Sequence, residues 1–295
     1  LIASNSDNAG VTPPQPNRWA NPLLRSLVVD ESRASKTMVD MLTSYGTVTD
    51  PRLTLLLSQS GAWVKGEADA VQYRGVPNGL PVTDLSLPEY DNSHNSCIWG
   101  YMWGYDWNSA AKGSNVAKPN TDANFTPLGL MNYSEVCFLK AEAALRGWQG
   151  AGDAQANYEE GIRASFEEMR ALAPEGSYST TDDNTYITTG QVAWNNADDF
   201  EIKLEKIITQ KWIGIYPNSE EAWAEFRRTG YPKLNPVKQS LEPTINPANN
   251  EFIKKLRYVD NELSNNKEYA TDPTLNGGKG DGLSVRVWWD TARYK

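Results

Sequence analysis

The sequence has little of the chemistry that most catalytic and metal sites require. Its 295 residues include two cysteines, Cys97 and Cys137, and a single histidine, His94. Zinc sites need clusters of cysteine and histidine, and redox-active cysteines usually form a Cys-x-x-Cys pair, so both kinds of site are excluded. A serine hydrolase triad would have to use His94, yet no Gly-x-Ser-x-Gly motif is present. We interpret His94 as a solvated loop residue.

Long apolar runs and an excess of positive charge are also missing. No stretch approaches the ~18 to 20 consecutive apolar residues that a membrane-spanning helix needs. The 28 lysines and arginines are outnumbered by 37 aspartates and glutamates, which gives a formal net charge of −9. Nucleic acids and anionic lipid surfaces would be repelled by such a protein. We therefore expect no nucleic-acid partner. A net negative charge is compatible with uncharged or cationic ligands.

The acidic residues do not indicate a catalytic site. Many occur as adjacent pairs, such as Glu167-Glu168 and Asp182-Asp183. The side chains of neighbouring residues diverge, so such a pair cannot supply the two facing carboxyls of a glycosidase. The loop 277–280 lacks the Ser or Thr that follows the lysine in a phosphate-binding loop. We expect no catalytic residues, no metal and no cofactor.

What the sequence has in abundance is tryptophan and tyrosine. Eleven Trp and 14 Tyr stand against six Phe, a balance that suits stacking on sugars or peptides and equally suits packed helix crossings. Five of these residues alternate along one short stretch. They are Trp99, Tyr101, Trp103, Tyr105 and Trp107. On an extended chain all five rings would point the same way, which predicts a ligand-binding surface. The alternative is that this aromatic face packs onto helices as core.

The two cysteines leave two possibilities open. Cys137 falls on the apolar face of a predicted helix, which favours a buried free thiol. A disulfide between Cys97 and Cys137 is the alternative.

Regular spacing of apolar residues predicts a mostly helical chain, with ends marked by capping residues. The predicted helices are one that begins near Asp30 and ends at Gly46, a hairpin whose helices begin at Asn132 and Asp153, and a pair on either side of Pro217. In the helix before Pro217, the side chains of Glu205, Lys206 and Gln210 should face water. Residues 53–58 are predicted as a strand, 61–124 as a long functional loop, and 176–194 as a loop with short strands.

Several motifs together resemble the SusD-like family of surface lipoproteins. They are the Q-K-W…E-A-W…F-R-R-T-G-Y-P run within 207–232, Y-S-E-V-C-F-L-K-A-E-A-A at 133–144, D-P-R-L at 50–53, the segment from Lys255 to Asn266, and V-W-W-D at 287–290. Val259 stands where the family pattern has proline. Because Arg227-Arg228 lies in the first motif, we expect a structural ion pair there, with a clamp for an anionic ligand as the alternative.

The resemblance implies a mostly α-helical SusD-like fold with tetratricopeptide-type hairpins and a loop-rich ligand-binding part. Residues 1–295 are expected to form a single domain that corresponds to the C-terminal portion of the family fold, without its N-terminal helices and lipidation signal.

It also implies an outer-membrane lipoprotein that faces outward and contacts the membrane only through a lipid anchor. Such a protein binds oligosaccharides and delivers them to a SusC-like TonB-dependent transporter, without catalysis. An oligopeptide-binding member of the same family and a glycoside hydrolase are the alternatives.

Overall fold

The computed structural model describes residues 2–11, 33–91, 93–97, 127–173, 178–278 and 280–290. Within these ranges the protein is mostly helical, as predicted, and one antiparallel pair joins β1 (Ala9–Val11) to β2 (Leu128–Met131). The helices are α1 (Lys36–Ser44), α2 (Leu53–Leu56), α3 (Gly61–Lys65), α4 (Tyr133–Leu145), α5 (Ala154–Arg170), α6 (Asp183–Thr188), α7 (Phe200–Gly214), α8 (Ser219–Thr229), α9 (Asp260–Asn265) and α10 (Lys267–Ala270). None of these helices is long and apolar enough to cross a bilayer.

The predicted helical hairpin is formed by α4 and α5. The side chains of Asn132 and Asp153 cap the two helices, each accepting a hydrogen bond of 2.8 Å from a first-turn backbone N–H. The helices approach closely at Gly161, where an added Cβ would lie 2.8 Å from the ring of Phe138. Both predicted caps are confirmed.

Helix α7 lies against this hairpin and is more buried than its amphipathic pattern predicts. The prediction that Lys206 and Gln210 face water is wrong: both side chains are buried. The ammonium of Lys206 donates to the carbonyl of Ala193 at 2.7 Å and to the carboxylate of Asp198 at 2.6 Å. Buried polar groups are tolerated when they are hydrogen-bonded, and such partners lie too far along the chain for the periodicity to reveal them.

A fully buried arginine connects α2, α5 and α7. The guanidinium of Arg52 makes a bidentate pair with Asp50, at 2.9 and 2.6 Å, and also donates to Ser165 at 3.0 Å and Gln210 at 2.6 Å. It lies 5.3 Å from the ring centre of Phe166. Pairing with a carboxylate and complete hydrogen bonding are the conditions under which a buried charge is stable.

Four predicted boundaries or elements are corrected, the first being the loop predicted at 61–124, which begins with the short helix α3. Helix α1 begins after Ser35, whose hydroxyl accepts from the N–H of Met38 at 3.2 Å, and not near Asp30, which lies outside the described residues. Residues 53–58, predicted as a strand, begin with the short helix α2. The prediction failed because the leucines of this stretch are all buried, so their spacing shows neither the period of a helix nor that of a strand. The predicted loop at 176–194 contains helix α6.

A buried lysine joins α8 to the hairpin. The cap of α8 is Asn218, as predicted, and Gly230 ends the helix with a φ of 83°. The carboxylate of Glu221 accepts a hydrogen bond of 2.7 Å from the ammonium of Lys211 on α7. Glu135 of α4 and Glu225 of α8 lie 3.4 Å from the same ammonium. One cation thus holds carboxylates from two other helices.

The core has two neighbouring clusters. One packs α1 and α2 against Met169 and Ile213, and the other packs the α4–α5 hairpin against α6 and α7. Cys97 lies in the first cluster, and Cys137 is buried in α4. The two cysteines are not joined by a disulfide, so the free-thiol interpretation is confirmed.

Candidate functional site

The five aromatic residues predicted to bind ligand, Trp99, Tyr101, Trp103, Tyr105 and Trp107, lie outside the described residues. The structure does describe the two ends of the segment that carries them. On one side, the N–H of Cys97 donates to the hydroxyl of Ser58 at 3.0 Å, and the N–H of Ala34 donates to the carbonyl of Ser96 at 2.7 Å. On the other side, the described residues resume at Pro127, and β2 pairs with β1. Both ends are therefore hydrogen-bonded to described parts of the fold.

The polar run before this segment is only partly a solvated rim. Asp91 accepts hydrogen bonds from Ser93 and His94, whose Nδ1 lies 2.8 Å from its carboxylate, and all three residues are partly exposed. Asn95 and Ser96, by contrast, are almost fully buried. The Asn95 amide donates to two backbone carbonyls at 3.1 and 2.8 Å, so it serves to fold the loop. Asn95 and Ser96 therefore belong to the interior of the fold and not to a solvated rim.

An exposed tryptophan that the sequence analysis does not single out lies beside this rim. Trp63 is on α3 and is 46% exposed. The neighbouring N–H of Ala62 donates to the carbonyl of Ser93 at 2.8 Å, and Glu67 lies 3.5 Å from the Nε2 atom of His94. An exposed aromatic side chain offers a stacking surface, and the carboxylates of the rim are acceptors for hydroxyl groups. The serine cap at Ser60 is the sequence signal that could have revealed the short helix carrying Trp63.

The arginine pair of the main motif has structural roles. Arg228 makes a bidentate pair with Glu142 at 2.7 and 2.6 Å and also contacts Glu225 at 2.6 Å. The guanidinium of Arg227 lies over the ring of Trp223, 3.6 Å from its centre, and 4.8 Å from that of Trp289. The expected structural ion pair is confirmed for Arg228, which is already committed to two carboxylates.

A largely apolar groove of about 640 Å³ runs beside α8. It is lined by Trp223 and Phe226 of α8 and by Leu241 and Leu256, and both leucines are well exposed. The indole N–H of Trp223 is used inside the fold, since it donates to the carbonyl of Ile253 at 2.9 Å. The groove thus offers apolar surface and few free hydrogen-bonding groups.

The described residues do not bring together three His, Cys, Asp or Glu side chains in a metal-binding arrangement. Members of the acidic doublets have structural partners. Asp183 pairs with Arg170 at 2.6 Å, whereas the carboxylate of Glu168 lies near Asn132 and Glu135. These side chains contribute to ion pairs and helix contacts.

Comparison with known proteins agrees with this helical arrangement. The family described as SusD-like, the SusD and RagB outer membrane lipoproteins, matches residues 1–290. The chain belongs to this family. SusD-like proteins are binding proteins and not enzymes, and the family is one of outer membrane lipoproteins. No curated protein matches the chain.

Solved structures of SusD homologues share the fold along nearly the whole chain. A homologue from Bacteroides vulgatus is 28% identical with a TM-score of 0.70, and the match covers 100% of this chain and 56% of that one. A chitin-binding homologue from Flavobacterium johnsoniae is 28% identical with a TM-score of 0.66, covering 98% and 55%. A further chitin-binding protein is 26% identical with a TM-score of 0.70, covering 99% and 57%. The SusD-like chain thus spans a little more than half the length of these relatives.

Proposed function

We propose that this protein binds oligosaccharides at the cell surface and delivers them to a SusC-like TonB-dependent transporter in the outer membrane. The observation that carries the proposal is the similarity, over almost the full chain, to two chitin-binding proteins of the same fold. Membership of the SusD-like family supports the transporter as partner.

The chemistry of the chain favours a neutral ligand. With a net charge of −9, the protein would repel an anionic polymer, whereas stacking on a sugar ring requires no charge. We propose that Trp99, Tyr101, Trp103, Tyr105 and Trp107 contribute the stacking surface. Trp63 would extend it, and Asp91 would accept hydrogen bonds from sugar hydroxyls. This assignment is supported by the partly exposed groups at the base of the aromatic segment.

Calorimetric titration with chitin oligosaccharides, with other neutral oligosaccharides and with a peptide library tests the proposal. Binding of a glycan without product formation is expected. Replacing Trp99, Trp103 or Trp107 singly with alanine should weaken binding and leave the melting temperature nearly unchanged. Trp148→Ala is the matched control, because Trp148 is 67% exposed but lies in the turn after α4.

Each other result contradicts a defined part of the proposal. Binding of peptides alone would identify an oligopeptide-binding member of the family, and release of shorter sugars would indicate a hydrolase. A loss of several kcal/mol of stability in the Trp99, Trp103 or Trp107 variants would show that these rings are core.

The transporter partner requires a separate experiment. The full-length native protein, purified from detergent-solubilised outer membranes, should carry a TonB-dependent transporter with it. Purification of the protein alone under mild detergent conditions, at every salt concentration tried, would contradict this part of the proposal.

A further inference from the structure

The sequence contains two Asn-Gly pairs, Asn78-Gly79 and Asn276-Gly277, and such pairs are open to spontaneous covalent modification. The backbone nitrogen of the glycine attacks the side-chain amide carbon of the asparagine. The new carbon–nitrogen bond closes a five-membered succinimide ring, and the side-chain nitrogen leaves as ammonia with the proton of the glycine N–H. Water then opens the ring to aspartate or to isoaspartate, in which the main chain runs through the former side chain. Glycine favours the attack because it has no Cβ to obstruct it.

The pair at Asn276 is held in an unreactive arrangement. The N–H of Gly277, which contains the attacking nitrogen, donates to the carbonyl of Thr274 at 3.0 Å. The side-chain amide of Asn276 donates to the carbonyl of Gly280 at 2.6 Å. Both hydrogen bonds must break before the nitrogen can reach the amide carbon, so the fold slows the reaction at this pair.

The pair at Asn78 is free to react. Both residues are exposed and lie in a turn, with Gly79 at a φ of 76°. In the part of the chain that the structure describes, neither the side-chain amide of Asn78 nor the N–H of Gly79 has a hydrogen-bond partner. The backbone carbonyl of Asn78 accepts a hydrogen bond of 2.7 Å from the N–H of Lys238. This bond polarises the peptide group and makes the Gly79 N–H a better acid, which also favours the attack.

The turn at 78–79 is packed tightly against residues 237–239. The carbonyl of Gly79 accepts a hydrogen bond of 3.0 Å from the N–H of Gln239. A Cβ added to Gly79 would lie 2.6 Å from the Cβ of Val237 and 2.7 Å from the carbonyl oxygen of Gln239. Isoaspartate at position 78 inserts one more carbon into the main chain just before Gly79, and this contact has no space for it. Val237 and Gln239 also line the apolar groove beside α8.

We propose that Asn78 is a deamidation site of the folded protein, whereas the fold protects Asn276. Conversion of Asn78 to isoaspartate displaces Gly79 and breaks the hydrogen bonds that hold residues 237–239. The modification therefore alters one wall of the apolar groove. This inference is independent of the proposed ligand.

Mass spectrometry of the native full chain tests the selectivity. The protein is incubated at mildly alkaline pH and digested under acidic conditions, and electron-based fragmentation distinguishes isoaspartate from aspartate. Asn78 should be lost about tenfold faster than Asn276, the factor expected when the slower site must first give up about one net hydrogen bond. In the urea-unfolded chain the two rates should be similar, because glycine follows both residues. Similar rates in the folded protein, or faster loss of Asn276, would overturn the inference.

Hydrogen exchange tests the structural consequence. The isoaspartate form carries one more negative charge, so ion exchange separates it from the unmodified protein. The N–H groups of Lys238 and Gln239 should exchange at least about tenfold faster in this form, because their acceptors are displaced. Asn78→Asp is the matched control: it carries the same charge without the extra backbone carbon and should exchange like the unmodified protein.

The variant Asn78→Ser cannot release ammonia and should keep slow exchange at Lys238 and Gln239 after the same incubation. Unchanged exchange in the isoaspartate form would show that the turn accommodates the extra carbon and would overturn the structural part of the inference. Equally fast exchange in Asn78→Asp would assign the effect to charge, which also contradicts it.

Discussion

Glu168 is the residue for which the structure makes the sharpest stability prediction. It lies on α5, partly buried, and its Oε2 atom has no hydrogen-bond partner among the described residues. Burial raises the pKa of its carboxyl from 4.5 to about 7, a hydrogen bond from Asn132 opposes this rise, and the nearby negative charge of Glu135 adds to it. Lys211, the nearest cation to Glu135, is shared with Glu221 and Glu225.

The sign of the effect follows from where the proton is bound. Between pH 4.5 and 7 the folded protein holds a proton on Glu168 that the unfolded chain has released, so the free energy of unfolding falls as pH rises through this window. A pKa change from 4.5 to about 7, at about 1.4 kcal/mol for each pH unit, corresponds to a loss of up to about 3 kcal/mol. Above pH 7 the loss is complete.

The change Glu168→Gln tests this reasoning, because glutamine has the shape of the protonated acid and cannot ionise. Urea unfolding at several pH values should show the variant nearly as stable as the original protein at pH 4.5 and up to about 3 kcal/mol more stable at pH 8. Other groups titrate equally in both proteins, so the difference between them is the quantity to plot. Glu167→Gln, at the exposed neighbouring position, should change stability by less than about 0.5 kcal/mol. A Glu168 difference that does not vary with pH would refute the reasoning.

Three further substitutions test the helix contacts by thermal or urea unfolding. Arg52→Ala should cost about 3 to 5 kcal/mol, since it leaves a buried carboxylate without its partner, and a cost below 1 kcal/mol would contradict the burial of this pair. Lys211→Met should cost several kcal/mol, whereas Lys233→Met, which breaks an exposed pair, should cost at most about 1 kcal/mol. Gly161→Ala should cost about 1 to 3 kcal/mol because its Cβ meets a phenylalanine ring, while Gly129→Ala meets nothing and should be close to neutral.

The local signals of the sequence predicted the helices well. Caps such as Asn132, Asp153 and Asn218 satisfy the first backbone N–H groups of a helix, and this requirement involves only neighbouring residues. The same holds for Gly230, whose positive φ ends α8. The long motifs predicted the family, and comparison with the SusD-like proteins confirmed it. The aromatic segment stays a prediction, because it lies outside the described residues.

Other features were decided only by tertiary structure. Gln210 and Lys206 look like surface residues in the sequence, yet they are buried because Arg52 and Asp198, distant in the chain, provide hydrogen bonds. The short α2 and the exposed Trp63 were likewise missed, since uniformly buried or isolated residues carry no periodicity.

The sequence by itself determined that the long segments are helical, that Asn132, Asp153 and Asn218 cap three of them, and that the protein is acidic and poor in the side chains of common catalytic sites. Only the tertiary structure decided which polar side chains are buried in pairs, such as Arg52 with Asp50 and Lys206 with Asp198. The reason is physical: caps and amphipathic stripes depend on residues three or four positions apart, whereas the stability of a buried charge depends on partners supplied by other helices.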